Sequence, residues 1–460
     1  MTDAAPAGAA LEVPPLATAL GERFTEAGHE IYLVGGTVRD LLLGRPSGDL
    51  DFATSAHPSE TTRLLRGWAE RQYLVGVRFG TVGAAKDGHL LELTTFREEV
   101  YAEEHRKPSV TFGKDVQTDL SRRDFTINAM AVRLPEATFL DPFGGVKHLA
   151  AKVLDTPLDP AVSFGDDPLR MIRAARFMAQ LGVTPAPRLV EAIREIGPRL
   201  EIVAAERIRE ELDKLLVADR APAGLAFLVD TGLADLILPE VPALALEQDP
   251  VHRHKDVLRH TYAVVEATDP RLRLRLAALL HDIGKPKTRQ ITPEGVTFHH
   301  HEVVGARMAR ERLIALRYAN SIVEDVCRLI ELHLRFHGYG EGWTDSAVRR
   351  YVRDAGDLLD DLNQLTRADV TTRDERKAAR FRRMQDELEE RIAALAEQEN
   401  LHALRPPLDG RQVMDLLGIP AGPLVGEALA YLMDLRMERG PISEEEAAAL
   451  LGTWAADRTA

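Results

Sequence analysis

The 460-residue sequence has a single cysteine, Cys327, so it makes no intrachain disulfide and offers no thiolate cluster for zinc. Aromatic residues are sparse, at 5%. No uninterrupted apolar run reaches the ~18 residues of a membrane helix, so no membrane partner is expected. A basic excess is missing too: 58 Lys and Arg stand against 72 Asp and Glu, for a net charge of −14. That balance excludes a globally basic nucleic-acid coat, but not a local basic surface, because the footprint depends on where charges cluster. The opening MTDAAPAGAA has neither the basic start nor the apolar run of a signal peptide, and a cytoplasmic location is expected. What is present is ordinary globular composition, 45% apolar and 28% charged, which excludes a mostly disordered chain. At ~150 residues per domain the length suits two to four domains.

Residues 1–13 are rich in Ala, Pro and Gly and read as a loose tail. From residue 20 to 150 helical and strand patterns alternate. Ile31-Tyr32-Leu33-Val34 is a short apolar strand stopped by Gly35-Gly36. The stretches 81–84 and 90–95 read as paired strands around the turn Lys86-Asp87-Gly88-His89. A small domain with a mixed sheet is expected. Beyond 150 strand signals fade, and 169–181, 189–196, 206–216 and 223–233 read as amphipathic helices. Residues 236–242 look like a linker into a second helical unit.

Two constellations carry chemistry. The first is the Gly35-Gly36 turn followed by Gly48-Asp49-Leu50-Asp51-Phe52. Backbone N–H groups at such a turn can hold phosphate oxygens, and Arg39 adds a charge-assisted donor. Residues i and i+2 on a strand share a face, so Asp49 and Asp51 point the same way. Two carboxylates that close repel unless a cation sits between them, and Mg²⁺ bound by carboxylates and substrate phosphates suits the pair. Alone, either feature is more often a plain turn or a solvated loop; together they point to a metal site.

The stretch LVGGTVRDLLLGRPSGDLDFAT resembles the signature of the class II tRNA nucleotidyltransferase and bacterial poly(A) polymerase family. SRRDFTINAM (121–130), DDPLRMIRAARF (166–177) and AERIREEL (205–212) are similar to that family's later motifs, in the same order. The resemblance implies an α+β multidomain chain. A nucleotidyltransferase head of polymerase-β type with a small mixed sheet leads, followed by an all-α neck, an HD domain and a helical tail. The expected divisions are 1–22 (tail and helix start), 23–150 (head), 151–250 (neck), 251–372 (HD domain) and 373–460 (tail). It implies template-independent addition of CCA to tRNA 3′ ends from CTP and ATP, with Mg²⁺ on Asp49 and Asp51. Glu92, alternating on a neighbouring strand, is a candidate third carboxylate; as a bare residue it reads equally well as an exposed strand Glu.

The remaining roles come from the same resemblance. Gly35, Gly36, Arg39, Arg123 and Asp124 fall on the nucleotide, with Arg123 on the triphosphate. Asp167 and Arg170 act as an amino-acid template for the base: a carboxylate accepts from the exocyclic amine of C or A, and a guanidinium donates to ring acceptors. Arg173 and Arg176 lie nearer phosphate or structural roles. Arg170, Arg173 and Arg176 recur every three residues, opposite Met171, Ile172, Ala175 and Met178, and the plain explanation of that pattern is a solvated helix face. The family's usual Glu-Asp pair is Asp166-Asp167 here, which keeps the charge. The charged stretch 97–108 matches a flexible loop that the family uses in switching from C to A, which disfavours C-only addition.

The second constellation is His260, His281-Asp282, His301, His333 and Asp369, with an apolar helix ending at His281-Asp282. Imidazole and carboxylate suit a divalent transition metal. The set resembles the HD phosphohydrolase family. His260, His281, Asp282 and Asp369 are assigned to one metal, with His301 and His333 completing a second; His299 and His300 are neighbours that compete with His301. Such a site activates water for phosphate-ester hydrolysis. A third feature is the basic density at 366–384, with Arg349, Arg350 and Arg353 nearby, which could track an RNA backbone or simply be solvated. Rival readings are an A-adding enzyme, a CC-adding enzyme, a poly(A) polymerase, an HD phosphohydrolase with an RNA-binding head, and a non-enzymatic RNA-binding protein.

Overall fold

Four consecutive apolar residues, buried on both faces, make the strand about which the first half of the chain is built. The computed structural model describes residues 11–45, 48–100, 109–113, 115–246, 256–292, 295–370, 375–399 and 405–459. The chain divides into two units, Met1–Ile237 and Leu238–Ala460. The division falls within the 236–242 stretch.

In the first unit, besides a short parallel pair, Val153–Leu154 with Thr184–Pro185, the strands are β1 (Ile31–Val34), β2 (Asp49–Thr54), β3 (Arg71–Tyr73), β4 (Thr81–Lys86), β5 (His89–Thr95), β6 (Arg97–Val100), β7 (Ser109–Phe112), β8 (Ala131–Leu134) and β9 (Thr138–Leu140). Seven form one sheet in the order β3-β4-β5-β2-β1-β8-β9, while β6 and β7 pair as a separate ribbon. The β2–β5 pair is parallel and the other ladders of the sheet are antiparallel, so the sheet is mixed. Residues 101–108 of the expected flexible loop, between β6 and β7, lie outside the described residues, as do residues 1–10 of the expected loose tail.

Period-two alternation decides what each face carries. Leu50 and Phe52 of β2 and Leu91 and Leu93 of β5 enter a core with Leu20 and Phe24 of the helix Pro15–Glu26. Asp49 and Asp51 therefore lie on the opposite face, and the parallel register sets Asp51 beside Glu92.

The helices Leu169–Leu181, Pro187–Ile196, Ala205–Leu216 and Ala221–Asp230 follow. Gly224 permits the close approach of the first and last of these, since a Cβ there would lie 2.6 Å from the Ala175 carbonyl. The helix expected over 223–233 ends earlier, at Asp230. Gly232 takes φ +80°, a left-handed stop, and Leu233–Ile237 starts a new short helix.

The second unit is helical among the described residues apart from a small two-stranded ribbon, Gln290–Thr292 with Gly295–Thr297. Its helices Val257–Ala267, Leu272–Leu280, His301–Ala315, Asn320–Leu332 and Leu359–Asp369 carry the histidines and aspartates at or near their ends. A smaller core of Leu408, Val413, Ala428, Leu432 and Leu451 holds the last three helices together.

Candidate functional site

Polar side chains from sheet, turn and helix converge on a cleft of about 620 Å³ in the first unit. Asp51 and Glu92 line it, together with Gly35, Gly36 and Arg39. The Thr37 hydroxyl accepts from the Asp51 N–H at 3.1 Å and lies 3.3 Å from the Asp49 carbonyl, tying the helix start to β2. Burial pushes the Asp51 carboxyl above the usual range, and Glu92 and Asp49 push it further; Arg123 and Arg39 oppose them. A carboxylate held in that state is relieved by a bound cation, so this donor set fits a hard divalent ion. Asp49 stands at the exposed start of β2, and the three carboxylates are not drawn into one tight cage.

Gly35 has φ +71°, and a Cβ on it would meet Arg123 Nη1 at 2.7 Å. Glycine is thus required twice over, by the backbone and by the arginine packed on the turn. Arg123 is anchored from below: its Nη2 lies 3.3 Å from Asp119 Oδ2, and Arg122 Nη2 donates to Asp119 Oδ1 at 2.7 Å. Asp119 is fully buried, and the two guanidiniums outweigh that burial and hold its carboxyl low. The sequence reading missed Asp119. The available signal was an acid three and four positions before Arg122-Arg123 on a helix.

Asp124 is the hub between the turn and the helix Leu169–Leu181. Its Oδ2 accepts from Arg173 Nε at 2.9 Å and Nη2 at 2.6 Å. Its Oδ1 accepts from Asn128 Nδ2, and Asn128 Oδ1 accepts from Arg39 at 2.6 Å. Arg173 and Arg176 both reach Glu211, which is buried. The Phe177 ring lies under three guanidiniums, with Arg176 nearest at 4.5 Å. The plain expectation of a solvated arginine face therefore fails. Arg176 is buried, and that burial, with repulsion from Arg173, lowers its pKa to about 10. Periodicity identifies the apolar side of a helix but not what the polar side meets.

Burial would raise the Asp124 pKa, but Arg173 and Asn128 reverse this and hold it far below the ordinary value. A depressed carboxyl stabilises the fold above its unfolded pKa, and that contribution is lost as pH falls. Asp124→Ala is expected to cost about 3 kcal/mol at pH 7, because Arg173 loses its two-pronged partner and keeps only the 3.3 Å contact to Glu211. In urea titrations the gap from the parent chain narrows below pH 4, where acid removes the same interaction.

Arg170 donates to Ser163 Oγ at 2.8 Å and to the Arg122 carbonyl at 2.6 Å. Asp167 is gripped by Arg207, with Nη2 2.9 Å from Oδ2 and Nη1 3.3 Å from Oδ1. Arg97, Arg122, Asn128, Phe177 and Arg207 line the cleft and were not singled out from sequence. In all, eight arginines face four carboxylates there, a strongly positive surface on a chain of net −14. Such a cleft suits a polyanion such as a triphosphate.

The histidines and aspartates of the second unit form two trios whose ligand atoms lie within 4.8 Å of one another: His260, His281 and Asp369, and Asp282, His301 and His333. The Nδ1 of His281, His301 and His333 each faces the carbonyl three residues earlier, at 2.8, 2.8 and 2.6 Å, and donates to it. Each Nε2 is thereby turned to the centre, the orientation of a metal ligand. His333 Nε2 is buried with no hydrogen-bond partner. Burial, with repulsion from His281, lowers the His333 pKa to about 4 and keeps its ring neutral. Burial alone would lower His281, but Asp282 and Asp369 overcome it and raise that ring to about 10. The set fits divalent transition metals.

Asp282 reaches both groups: its Oδ2 lies 3.6 Å from His260 Nε2, in keeping with the expected set, while the tighter trio it joins is that of His301 and His333. Its Oδ2 is 3.2 Å from His281 Nε2 and its Oδ1 is 3.3 Å from His301 Nε2, so it stands between the two groups. Adjacent residues at a helix end project in different directions, which spacing alone does not reveal. Among the three neighbouring histidines the site takes His301, which is buried; His299 and His300 are exposed. Of the basic residues at 366–384, Arg376, Lys377, Arg380, Arg382 and Arg383 are exposed on the helix Glu375–Glu399 and Arg367 is half-buried near the end of Leu359–Asp369, while Arg373 lies outside the described residues.

Three family models match the chain: the poly A polymerase head domain over 31–155, a probable RNA- and SrmB-binding site of polymerase A over 182–244, and the HD domain over 256–399. A CCA-adding enzyme of Geobacillus thermodenitrificans is 32% identical over 419 residues, covering 90% of this chain and 91% of that protein. An A-adding tRNA nucleotidyltransferase of Deinococcus radiodurans is 34% identical over 447 residues, covering 92% and 95%. The match to a CCA-adding enzyme of Anoxybacillus flavithermus is 44% identical but spans only 54% of that protein and 48% of this chain. A solved structure, the Bacillus stearothermophilus CCA-adding enzyme in complex with CTP, superposes with a TM-score of 0.73 at 28% identity, covering 97% of this chain and 99% of that one.

Proposed function

The chain belongs to the family of the CCA-adding and A-adding tRNA nucleotidyltransferases, and we propose that it builds the CCA end of tRNA from CTP and ATP in a single cleft. The observation that carries this reading is the meeting, in one cavity, of Asp51 and Glu92, the Arg123 and Arg39 guanidiniums, and the Asp167–Arg170 pair. Phosphate chemistry, anion binding and base reading are thus within reach of one nucleotide.

In the reaction the tRNA 3′-hydroxyl attacks the α-phosphate, the O–P bond to the chain forms, the bond to the β-phosphate oxygen breaks, and pyrophosphate leaves. Asp49 and Asp51, with Glu92 beside them, would hold Mg²⁺, which supplies Lewis acidity to the attacking and leaving oxygens. Arg123, steadied by Asp119, and Arg39, steadied by Asn128, orient the triphosphate. Asp167 accepts from the exocyclic amine of cytosine or adenine and Arg170 donates to a ring acceptor. Arg173 and Arg176, locked to Asp124 and Glu211, hold the reading helix against the triphosphate end.

The second unit supports a metal-dependent phosphohydrolase, with His260, His281, Asp282, His301, His333 and Asp369 as ligands to divalent transition metals. A tRNA substrate supports a cytoplasmic location; among the described residues no helix is long and apolar enough to cross a membrane. The Deinococcus relative favours a second reading, addition of the final A alone. Bare tRNA ending at the discriminator base distinguishes them. With CTP alone it gains two residues under the first reading and none under the second.

A further inference from the structure

We propose that Arg207 is a positioning residue for base selection: by gripping both oxygens of Asp167 it fixes the plane of that carboxylate, so that the incoming base must present an amine. This rests on Asp167 and Arg170 as the base readers.

A carboxylate has about four acceptor positions. On Asp167, Oδ1 takes the Leu169 N–H and Arg207 Nη1, both at 3.3 Å, and Oδ2 takes Arg207 Nη2 at 2.9 Å. One acceptor position remains, on Oδ2, in a residue that lines the cleft. A cytosine or adenine amine can fill it, whereas the uracil O4 brings lone pairs against lone pairs.

Arg207 comes from a different helix, Ala205–Leu216, and is half exposed. Ion pairs that open to solvent add little to stability, so holding the fold together is a weak reason for this one. A planar fork on a carboxylate sets direction, which a point charge does not. Without Arg207, Asp167 keeps only the long contact to Leu169 and can turn away from the base. Arg170 is held separately, by Ser163 and the Arg122 carbonyl. Loss of Arg207 therefore loosens the acceptor half of the template and leaves the donor half in place.

The test uses the full chain with Mg²⁺ and a tRNA ending at the discriminator base, and measures kcat/KM for the first addition from CTP and from UTP. In Arg207→Gln the CTP-to-UTP ratio is expected to fall about tenfold, chiefly because UTP is accepted, the size expected of loosening one charge-assisted contact. Arg207→Lys, which keeps charge but not the fork, falls between. A merely structural role would lower both values together and leave the ratio, which does not depend on the folded fraction, unchanged. Asp167→Ala is run in parallel. If its ratio collapses while that of Arg207→Gln stands, this proposal is overturned alone. An unchanged ratio in both variants overturns the base-reading assignment and this proposal with it.

Discussion

Asp51→Asn lowers nucleotidyl transfer at least about a thousandfold for C and A addition alike, and at the same time raises the melting temperature at pH 7. The two effects share one cause. Burial, Glu92 and Asp49 all disfavour an ionised Asp51, and Arg123 and Arg39 only partly compensate. A carboxyl whose folded pKa is raised costs stability once it is ionised, and that cost vanishes as pH falls through the folded pKa. The amide keeps the shape and the Thr37 tie to the Asp51 backbone, removes the charge, and with it the cation. Primer extension and thermal melts of one preparation check both signs, and the gain in melting temperature shrinks toward acid pH. An active Asn variant, or one that melts lower, contradicts the account of this strand.

Asp282→Asn abolishes phosphate-ester hydrolysis, by about a thousandfold or more, and strips the metal retained through dialysis, while nucleotidyl transfer persists. Asp282 faces His281 and His301 and also accepts from Lys285 at 2.6 Å, so its loss removes a ligand from both groups. The isosteric amide avoids the collapse that truncation would invite at a site this buried. Metal analysis and hydrolysis of a 2′,3′-cyclic phosphate read the loss directly. Together with Asp51→Asn this gives a double dissociation: each variant silences one activity and spares the other.

Much of this was legible from residue order. The i, i+2 spacing of Asp49 and Asp51 put both on one face of β2, and Leu50 and Phe52 then had to enter the core. The Gly35-Gly36 turn, the Arg123-Asp124 pair and the adjacent His281-Asp282 were visible for the same reason: each is a local pattern. What stayed hidden came from pairing across distance. Nothing in the sequence ties Arg207 to Asp167, Glu211 to Arg173, or Asn128 to Arg39, because these bonds join positions 38 to 89 residues apart. The same limit hid the second contact of Asp282, to His301. The arginine repeat at 170, 173 and 176 was ambiguous for another reason: a solvated face and a cleft-lining face have the same period, and only packing against Phe177 and Glu211 separates them.

The central claim, that one cleft completes the whole CCA end, is tested most directly with three labelled tRNAs, ending at the discriminator base, at C and at CC. Each is incubated with the purified chain, Mg²⁺, CTP and ATP, and weighed by mass spectrometry. All three are expected to converge on the same CCA-ended product and then stop. Growth of the CC-ended tRNA alone, by one A, contradicts the claim and makes the chain an A-adding enzyme that depends on another protein for both C residues.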